Sequence, residues 1–158
     1  MAPTRSAYDI TDPMIRETGE AIQSGDFDKY MRHFALPFVL ETFEAKHLIG
    51  SRREMQEHFD GVRAFRAEQR IAYSTRENIS AVFQDPKTIT LIHVSHLFHT
   101  DGTRFDRPYP TYSVIRENDG HWLTHHCRYG VGDLEAFTRA LMKYKEDKPG
   151  PHPPVQTP

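Results

Sequence analysis

The stretch from Thr88 to Cys127 constrains the fold more than any other part of this chain. It holds three runs rich in β-branched and aromatic residues, at 88–99, 110–116 and 121–127, with an Asp-Gly pair between each run and the next. Such runs are typical of β-strands, and Asp-Gly is typical of tight turns between antiparallel strands. We therefore predict a three-stranded meander on which the helices predicted upstream must pack.

The length, composition and net charge of the chain indicate one ordinary globular domain. The chain has 158 residues, of which 37% are hydrophobic and 27% are charged, and its net charge is −2. A chain of this length buries one sizeable core. So small a net charge gives no field that would attract nucleic acid or an anionic membrane surface, so we predict neither as a partner.

The cysteine and hydropathy patterns predict a cytoplasmic protein. Cys127 is the only cysteine, so no internal disulfide can form, and the first residues lack the apolar run of a signal peptide. No stretch reaches the roughly 20 apolar residues that a membrane-spanning helix needs.

Apolar residues at helical spacing predict three helices ahead of the meander. Asp12-Pro13 has the form of a helix start, because Asp accepts from free first-turn amides and Pro loses no hydrogen bond there. This predicts a first helix from residue 12 to Ser24-Gly25 and leaves residues 1–11 as a flexible arm. Asp26 then caps a shorter helix, which must end before Pro37.

A short hairpin, a third helix and a long strand complete the part before the meander. Residues 38–43 and 46–49 predict the hairpin. Residues 51–54, Ser-Arg-Arg-Glu, form a capping box, and the helix that it opens runs to about Glu68. A long strand over residues 71–83 follows.

The chain continues beyond the meander. Asp133 is placed to cap a last amphipathic helix, so the predicted domain covers residues 12–146. Residues 147–158 are rich in proline and poor in apolar residues, which predicts a disordered tail.

Four motifs stand in a distinctive order: a helix junction at 22–30, a strand entry at 36–39, a helix start at 50–55 and a hairpin at 116–122. Their order and spacing resemble the NTF2-like superfamily, in particular its SnoaL-like members. The resemblance implies an α+β cone, in which a strongly bent antiparallel sheet wraps around a pocket covered by the N-terminal helices. It also implies a homodimer through the sheet in many members, whereas the helix from Asp133 is an addition to the shortest ones.

The resemblance leaves the activity open. Its members include isomerases, dehydratases, epoxide hydrolases, polyketide cyclases and proteins without known chemistry, so the function has to be argued from the site.

The histidines at 93, 96 and 99 do not form a metal site if their run is a strand. His93 and His99 would share a face but lie about 20 Å apart at ~3.3 Å per residue, whereas zinc holds each ring nitrogen at about 2.1 Å. His96 points the opposite way. We therefore predict no metal, and we predict no other cofactor.

The residues of the pocket depend on strand register. A three-residue loop at 118–120 pairs Arg116 with Trp122. On the same face it pairs Tyr112 with His126. A large aromatic side chain is better buried under the helices than left on the sheet exterior. We therefore predict that the Trp122 face lines the pocket and that Tyr112 and His126 are neighbours inside it.

The turn at Asp101-Gly102 decides which histidine of the preceding strand joins them. A three-residue loop puts His96 on the Tyr112 face, whereas a two-residue loop puts His93 there. The number of apolar residues on that face favours the first register. His96 is therefore the predicted pocket group, and His93 is the reserve.

A neutral imidazole beside a tyrosine hydroxyl suits acid-base chemistry, because histidine titrates near neutral pH. We predict that His126, Tyr112 and His96 are catalytic and remove a proton next to a carbonyl, before loss of water or the shift of a double bond. The competing interpretation is that His126 and Tyr112 are satisfied core groups and that no substrate binds.

Aromatic residues and methionine at helical spacing form either core or pocket wall. The predicted substrate-binding residues are Tyr30, Phe34, Met55, Phe59, Trp122 and Asp106. For Asp106, which lies between two arginines, a surface ion pair is the alternative. Cys127 is predicted on the face opposite His126 and is interpreted as a packing residue.

Three functions remain consistent with these patterns. The first is a cofactor-independent lyase, isomerase or cyclase acting on a small, largely apolar molecule. The second is a ligand-binding module without catalysis, and the third is a dimeric interaction domain. An enzyme needs a titratable group in its cavity and a binding module needs only the cavity. An interaction domain needs an exposed apolar patch on the sheet exterior.

Overall fold

Six strands form one bent sheet that does not close, and three helices pack against one of its faces. The computed structural model describes residues 5–43 and 45–130. In chain order the elements are α1 (Ala7–Ser24), α2 (Phe27–Met31), β1 (Phe34–Thr42), β2 (Lys46–Ile49), α3 (Arg52–Glu68), β3 (Ile71–Asp85), β4 (Thr88–His99), β5 (Tyr109–Asn118) and β6 (His121–Tyr129).

The strand order is β2-β1-β6-β5-β4-β3, and every neighbouring pair is antiparallel except β1 with β6. Register irregularities interrupt the β3–β4 pairing at three places, and His125 of β6 is an extra residue opposite β5. Each bulge bends and twists its strand, so the sheet curves around the helices. We call the side that faces the helices the inner face and the other side the outer face.

Three clusters of buried apolar side chains join the helices to the inner face. The largest lies between α2, α3, β1 and β2 and includes Phe38 and Phe59, which are 0% and 2% exposed. A second joins α1 to β3, β4 and β5, and a third joins α3 to β3 and β4. Burial of each large apolar side chain contributes roughly 1.5–3 kcal/mol, so these clusters hold the helices on the sheet.

The first helix begins earlier than predicted. The side chain of Ser6 accepts from the amide of Asp9, and Oδ2 of Asp9 accepts from the amide of Ser6 at 3.0 Å. The predicted start at Asp12-Pro13 is therefore wrong, and residues 7–11 belong to α1 rather than to a flexible arm. The reciprocal cap and the burial of Ile10 outweigh the helical hydrogen bond that Pro13 cannot make.

The second and third helices begin at their predicted caps. Asp26 caps α2 and Ser51 caps α3, each by accepting from the backbone amide three residues on. The end of α3 at Glu68 is also confirmed. However, α2 ends at Met31, so Phe34 begins β1 instead of continuing the helix. Among the described residues, no helix has the length and apolar character needed to cross a lipid bilayer.

The predicted meander is confirmed as β4, β5 and β6, but its turns differ from the predicted loops. Asp119 and Gly120 form a two-residue turn with φ angles of 51° and 81°. Residues 100–108 separate β4 from β5, and an isolated bridge joins Phe98 to Arg104 within this connection. The predicted last helix and the predicted tail lie outside the described residues.

Candidate functional site

The register of the sheet places four polar side chains side by side on the inner face. Asn78 of β3 pairs with His93 of β4, and His93 pairs with Thr111 of β5. Thr111 in turn pairs with Tyr129 of β6. We call these four residues the polar row. Because side chains alternate along a strand, the row lies under the helices while Ile92, next to His93, is exposed on the outer face.

Three members of the polar row carry a buried polar atom without a hydrogen-bond partner among the described residues. These atoms are Oδ1 of Asn78, Nδ1 of His93 and Oγ1 of Thr111. Leaving such an atom unpaired costs about 1–3 kcal/mol, and native proteins contain few of them. Three in adjacent register positions therefore indicate a place where water or a polar group of another molecule binds.

A cavity of about 40 Å³ lies between the inner face and the helices α1 and α2. His93 and Tyr129 of the polar row are part of its wall. This volume holds a few waters or one small chemical group, whereas pockets for drug-sized ligands measure about 300–1,000 Å³. The described side chains therefore leave little free space at this point of the inner face.

Burial keeps His93 neutral. Desolvation, assisted by the positive charge of Arg76, lowers the pKa of its imidazole to about 3. A neutral ring has one donor and one acceptor nitrogen, so His93 is suited to hydrogen-bond a ligand without carrying charge. The low pKa also makes it a weak base near neutral pH.

Arg76 of β3 is the cation of the cavity wall. Its Nη1 atom donates to the carbonyl oxygen of Ile15 at 3.2 Å and to Oγ1 of Thr18 at 2.6 Å, so the side chain crosses from β3 to α1. No Asp or Glu carboxylate lies within 4 Å of the guanidinium among the described residues.

The remaining titratable groups of the wall stay protonated. Burial raises the pKa of the Tyr30 and Tyr129 hydroxyls and raises the pKa of the Cys127 thiol to about 11, in each case against the effect of Arg76. Sγ of Cys127 also lies 3.2 Å from Oγ of Ser113. These groups are therefore neutral donors at physiological pH.

The described lining contains no aspartate or glutamate. The wall contains a guanidinium, which only donates, and several hydroxyls, which can donate or accept, so the cavity suits an oxygen atom of a carbonyl or carboxylate group. It offers no carboxylate base for proton abstraction. Within residues 5–43 and 45–130, no group of three His, Cys, Asp or Glu side chains is arranged to hold a metal ion.

The three predicted catalytic residues lie on the outer face, so their predicted place in the pocket is wrong. Tyr112 is 37% exposed. Nε2 of His126 lies 2.8 Å from Oε1 of Glu41 on β1. His96 lies with its Nε2 atom 3.8 Å from Oε2 of the exposed Glu77.

Two local features of β6 explain this difference. The turn at Asp119-Gly120 has two residues instead of three, so Trp122 pairs with Glu117. The bulge at His125 then shifts the alternation, so that His126 faces outward although Trp122 faces inward. The prediction that His96 and Tyr112 share one face is confirmed, but that face is the outer one.

The predicted substrate-binding residues of the helices divide into two groups. Tyr30 and Phe34 line the cavity. Met55 and Phe59 lie in the core beside them, with the ring of Phe59 5.0 Å from that of Tyr30. The structure therefore shows Met55 and Phe59 as packing residues.

Trp122 and Asp106, the other two predicted contacts, do not line the cavity. Trp122 packs against the cluster between α1 and the sheet, with its ring 6.0 Å from that of Phe83. Asp106 is exposed in the connection before β5, and its Oδ1 accepts from the amide of Arg107 at 2.6 Å.

His93 was predicted only as the reserve, and Arg76 and Tyr129 were not predicted. For His93 a signal existed at Asp119-Gly120, because Asp-Gly is the preferred pair of a two-residue turn. A two-residue turn there directs Tyr112 outward when Trp122 faces inward, and His96, which was predicted on the Tyr112 face, then lies outside and His93 inside. No comparable pattern marks Arg76, since polar and charged residues occupy both faces of β3 around it.

Comparison with known proteins identifies the fold. No family model matches the sequence, and no curated protein matches it. A solved domain of unknown function with a cystatin-like fold from Nostoc punctiforme is similar, with a TM-score of 0.66 and 15% identity over 81% of this chain and 78% of that one. An NTF-2 like protein of unknown function from Shewanella oneidensis has a TM-score of 0.61 and 11% identity over 79% of this chain and 99% of its own. This chain has the NTF2-like fold.

A third solved structure is also similar in fold. A ketosteroid isomerase-like protein from Erwinia carotovora atroseptica has a TM-score of 0.60 and 11% identity, over 80% of this chain and 97% of that one. Together these structures confirm the predicted α+β cone. Identities this low establish the fold and carry no activity to this chain.

Proposed function

We propose that this NTF2-like protein binds a small molecule through the polar row inside its cone. The unpartnered buried atoms of Asn78, His93 and Thr111 carry the proposal. Nδ1 of His93 and Oγ1 of Thr111 can each donate to an acceptor, whereas Oδ1 of Asn78 needs a donor such as a hydroxyl group or water. Each such bond contributes about 0.5–1.5 kcal/mol.

The chemistry of the wall favours a ligand with an oxygen acceptor at one end. Arg76 and the hydroxyls of Tyr30 and Tyr129 are donors, and apolar side chains such as Leu91 and Ile115 make up much of the rest. With about 40 Å³ of free volume, only the polar end of such a molecule fits among these side chains. The largely apolar body expected from the sequence has to lie beyond the cavity.

Binding is better supported than turnover. A lyase, isomerase or cyclase reaction of the SnoaL-like kind would use His93, because it is the histidine in the cavity wall. The pKa of His93, lowered to about 3 mainly by burial, leaves it a weak base, and no carboxylate of the described lining replaces it. We therefore place a ligand-binding module ahead of a cofactor-independent enzyme.

Ligand-observed NMR with small oxygenated compounds tests this proposal. The purified chain is compared with His93→Leu, which removes the polar ring without opening a large void, and with His96→Leu, a matched change on the outer face of the same strand. We expect compounds that bind the wild type and His96→Leu but lose binding in His93→Leu. Binding that survives His93→Leu unchanged would exclude the polar row as the site.

The outer face favours a second function, homodimer formation through the sheet. Ile92 and Tyr112 are cross-strand neighbours there and are 38% and 37% exposed. Tyr73 and Val82 of β3 add further exposed apolar surface, at 42% and 50%. Exposed apolar side chains on one face of a sheet are typical of an interaction site, and a second copy offers the same surface in self-complementary form.

Light scattering coupled to gel filtration tests the dimer. We expect a wild-type dimer and a monomer for Ile92→Glu, because the new carboxylate would be buried without a partner. Phe43→Glu is the matched control, since Phe43 is 72% exposed but lies in the β1–β2 connection. A wild-type monomer, or an Ile92→Glu dimer, contradicts the proposal.

A further inference from the structure

A groove of about 530 Å³ lies between α1 and β3, beside the cavity of the cone. Ile15 and Arg76 line both spaces. The groove is large enough for the body of a ligand, since ligand pockets measure about 300–1,000 Å³, whereas the cavity is not. Asn78, the first member of the polar row, also lines the groove, so the row runs from the groove into the cone.

Arg76 is a partly buried cation in the wall that the two spaces share, and no Asp or Glu of the described residues pairs with it. Its Nη1 atom donates to the carbonyl oxygen of Ile15 and to Oγ1 of Thr18, and its guanidinium makes no other hydrogen bond within the described part of the chain. An anionic group in the groove would form charge-assisted hydrogen bonds with the remaining donors.

The carboxylates of the groove do not fill this role. Glu20 forms two ion pairs. Its Oε2 atom lies 2.6 Å from Nζ of Lys29, and its Oε1 atom lies 3.9 Å from Nε of Arg16. Asp12 accepts from Nδ2 of Asn78 at 2.7 Å. Both acidic side chains lie on the exposed side of α1, where they would repel a second negative charge on a ligand.

A second guanidinium nearby also has no carboxylate partner within residues 5–43 and 45–130. Arg66 of α3 is only 8% exposed, and its Nη2 atom donates to Oε1 of Gln23 at 3.4 Å. Gln23 is itself part of the groove wall. Burial lowers the pKa of Arg66, and the positive charge of Arg76 lowers it further. An anion beside Arg76 would relieve this repulsion.

We propose that the groove and the cavity form one binding site for an elongated monocarboxylate, whose carboxylate pairs with Arg76 and whose apolar body lies in the groove. The inference rests on the proposed function, because it gives the ligand of the cone its chemical class. Ile15 supplies apolar contact for the body, and Gly19 leaves the space above the Arg76 side chain open.

Hexanoate and hexanamide test the charge, since they differ little in shape. Titration calorimetry on the full chain should show hexanoate binding about tenfold more tightly than hexanamide, because hydrogen bonds to a charged group are stronger. Arg76→Gln should abolish that preference. Arg16→Gln, which removes a cation from the rim of the same groove, should keep it. Hexanedioate, with a carboxylate at each end, should bind more weakly than hexanoate.

A second variant separates ligand binding from the contact that Arg76 makes with α1. Gly19→Met retains Arg76 and favours the helix, but its side chain occupies the groove; a Cβ at this position lies 3.5 Å from Cδ of Arg76. We expect at least a tenfold loss of hexanoate affinity. Three outcomes would overturn the inference. The wild type does not bind hexanoate detectably, or it binds hexanoate and hexanamide equally. The third is that Arg76→Gln and Gly19→Met both bind hexanoate as the wild type does.

His93→Leu distinguishes this failure from failure of the proposed function. If the wild type binds both probes equally and His93→Leu loses both, the cone site stands and the carboxylate specificity is wrong. If hexanoate depends on Arg76 and Gly19 but is indifferent to His93→Leu, the groove binds the carboxylate and the polar row is not part of the site.

Discussion

His126 on β6 and Glu41 on β1 pair across the outer face, with Nε2 of the imidazole 2.8 Å from Oε1 of the carboxylate. Arg128 donates to Oε2 of the same carboxylate at 3.3 Å. These contacts join the two parallel strands at the centre of the sheet. His126 therefore has a structural partner and no contact with the cavity.

The first prediction concerns this pair. His126→Ala should lower the free energy of unfolding by roughly 1 kcal/mol, because one partly buried charge-assisted hydrogen bond is lost. Ligand binding in the cone should be unchanged. Urea unfolding measures the first effect, and a double-mutant cycle with Glu41→Gln shows whether the loss belongs to the pair. Lost ligand binding at unchanged stability would instead make His126 a site residue.

The second prediction concerns acid stability. His93 titrates near 6.5 in an unfolded chain, but burial lowers its pKa to about 3 in the folded protein. Between these values the unfolded state binds one more proton, so the free energy of unfolding should decrease as the pH falls from about 6.5 to about 3. Above pH 6.5 both states hold a neutral His93, and the protein keeps the full stability, on the order of a few kcal/mol, that it loses as the pH falls through this range.

Variants isolate the share of His93 in that pH dependence. Burial also lowers the pKa of His33 and His125, so the wild type alone cannot assign it. Urea unfolding at several pH values across this range gives the free energy of unfolding as a function of pH. In His93→Leu this free energy should fall less steeply with decreasing pH than in the wild type, whereas in His96→Leu it should fall as steeply. The same pH dependence of the unfolding free energy in wild type and His93→Leu would show that His93 is not buried as a neutral ring.

The meander shows how far local patterns determine this fold. Alternating runs and Asp-Gly pairs predicted β4, β5 and β6, and the cap residues Asp26 and Ser51 predicted the starts of two helices. These signals are local, since each depends on a few neighbouring residues. Their order along the chain resembles that of NTF2-like proteins, and this resemblance implied the α+β cone.

The site could not be predicted in the same way. The bulge at His125 depends on how β6 fits β5 and β1 together, and no pattern within β6 encodes it. A shift of one residue exchanges the two faces of a strand, so this bulge moved His126, and the two-residue turn moved Tyr112, out of the predicted pocket. Arg76 faces α1 because Ile15 and Thr18 receive it, a contact between residues far apart in the sequence.

The third prediction concerns the turn of the last hairpin. Gly120 has a φ of 81°, and a Cβ added there would meet no atom within 4 Å. Gly120→Ala should therefore lower the free energy of unfolding by about 1–2 kcal/mol through backbone conformation alone. Gly50→Ala is the matched control, because Gly50 has equally open space without a positive φ. Equal unfolding free energies for the two variants in urea would contradict this two-residue turn.

The fourth prediction uses Cys127 as a reporter of the cone. The thiol is 5% exposed, and burial raises its pKa to about 11, so little reactive thiolate is present or accessible. Since it is the only cysteine, labelling with an aromatic disulfide reagent reads one site. The native protein should react at least about a hundredfold more slowly than the urea-unfolded chain.

Ligands give this measurement its diagnostic value. Cys127 lines the same cavity as His93 and Arg76, so a molecule that occupies the cone should slow labelling further by stabilising the closed state. His93→Leu should remove that protection without changing the reactivity of the unfolded chain. If the native wild type is labelled as fast as the unfolded chain, the cone opens readily to solvent. The buried polar atoms of Asn78 and Thr111 would then form their hydrogen bonds with water.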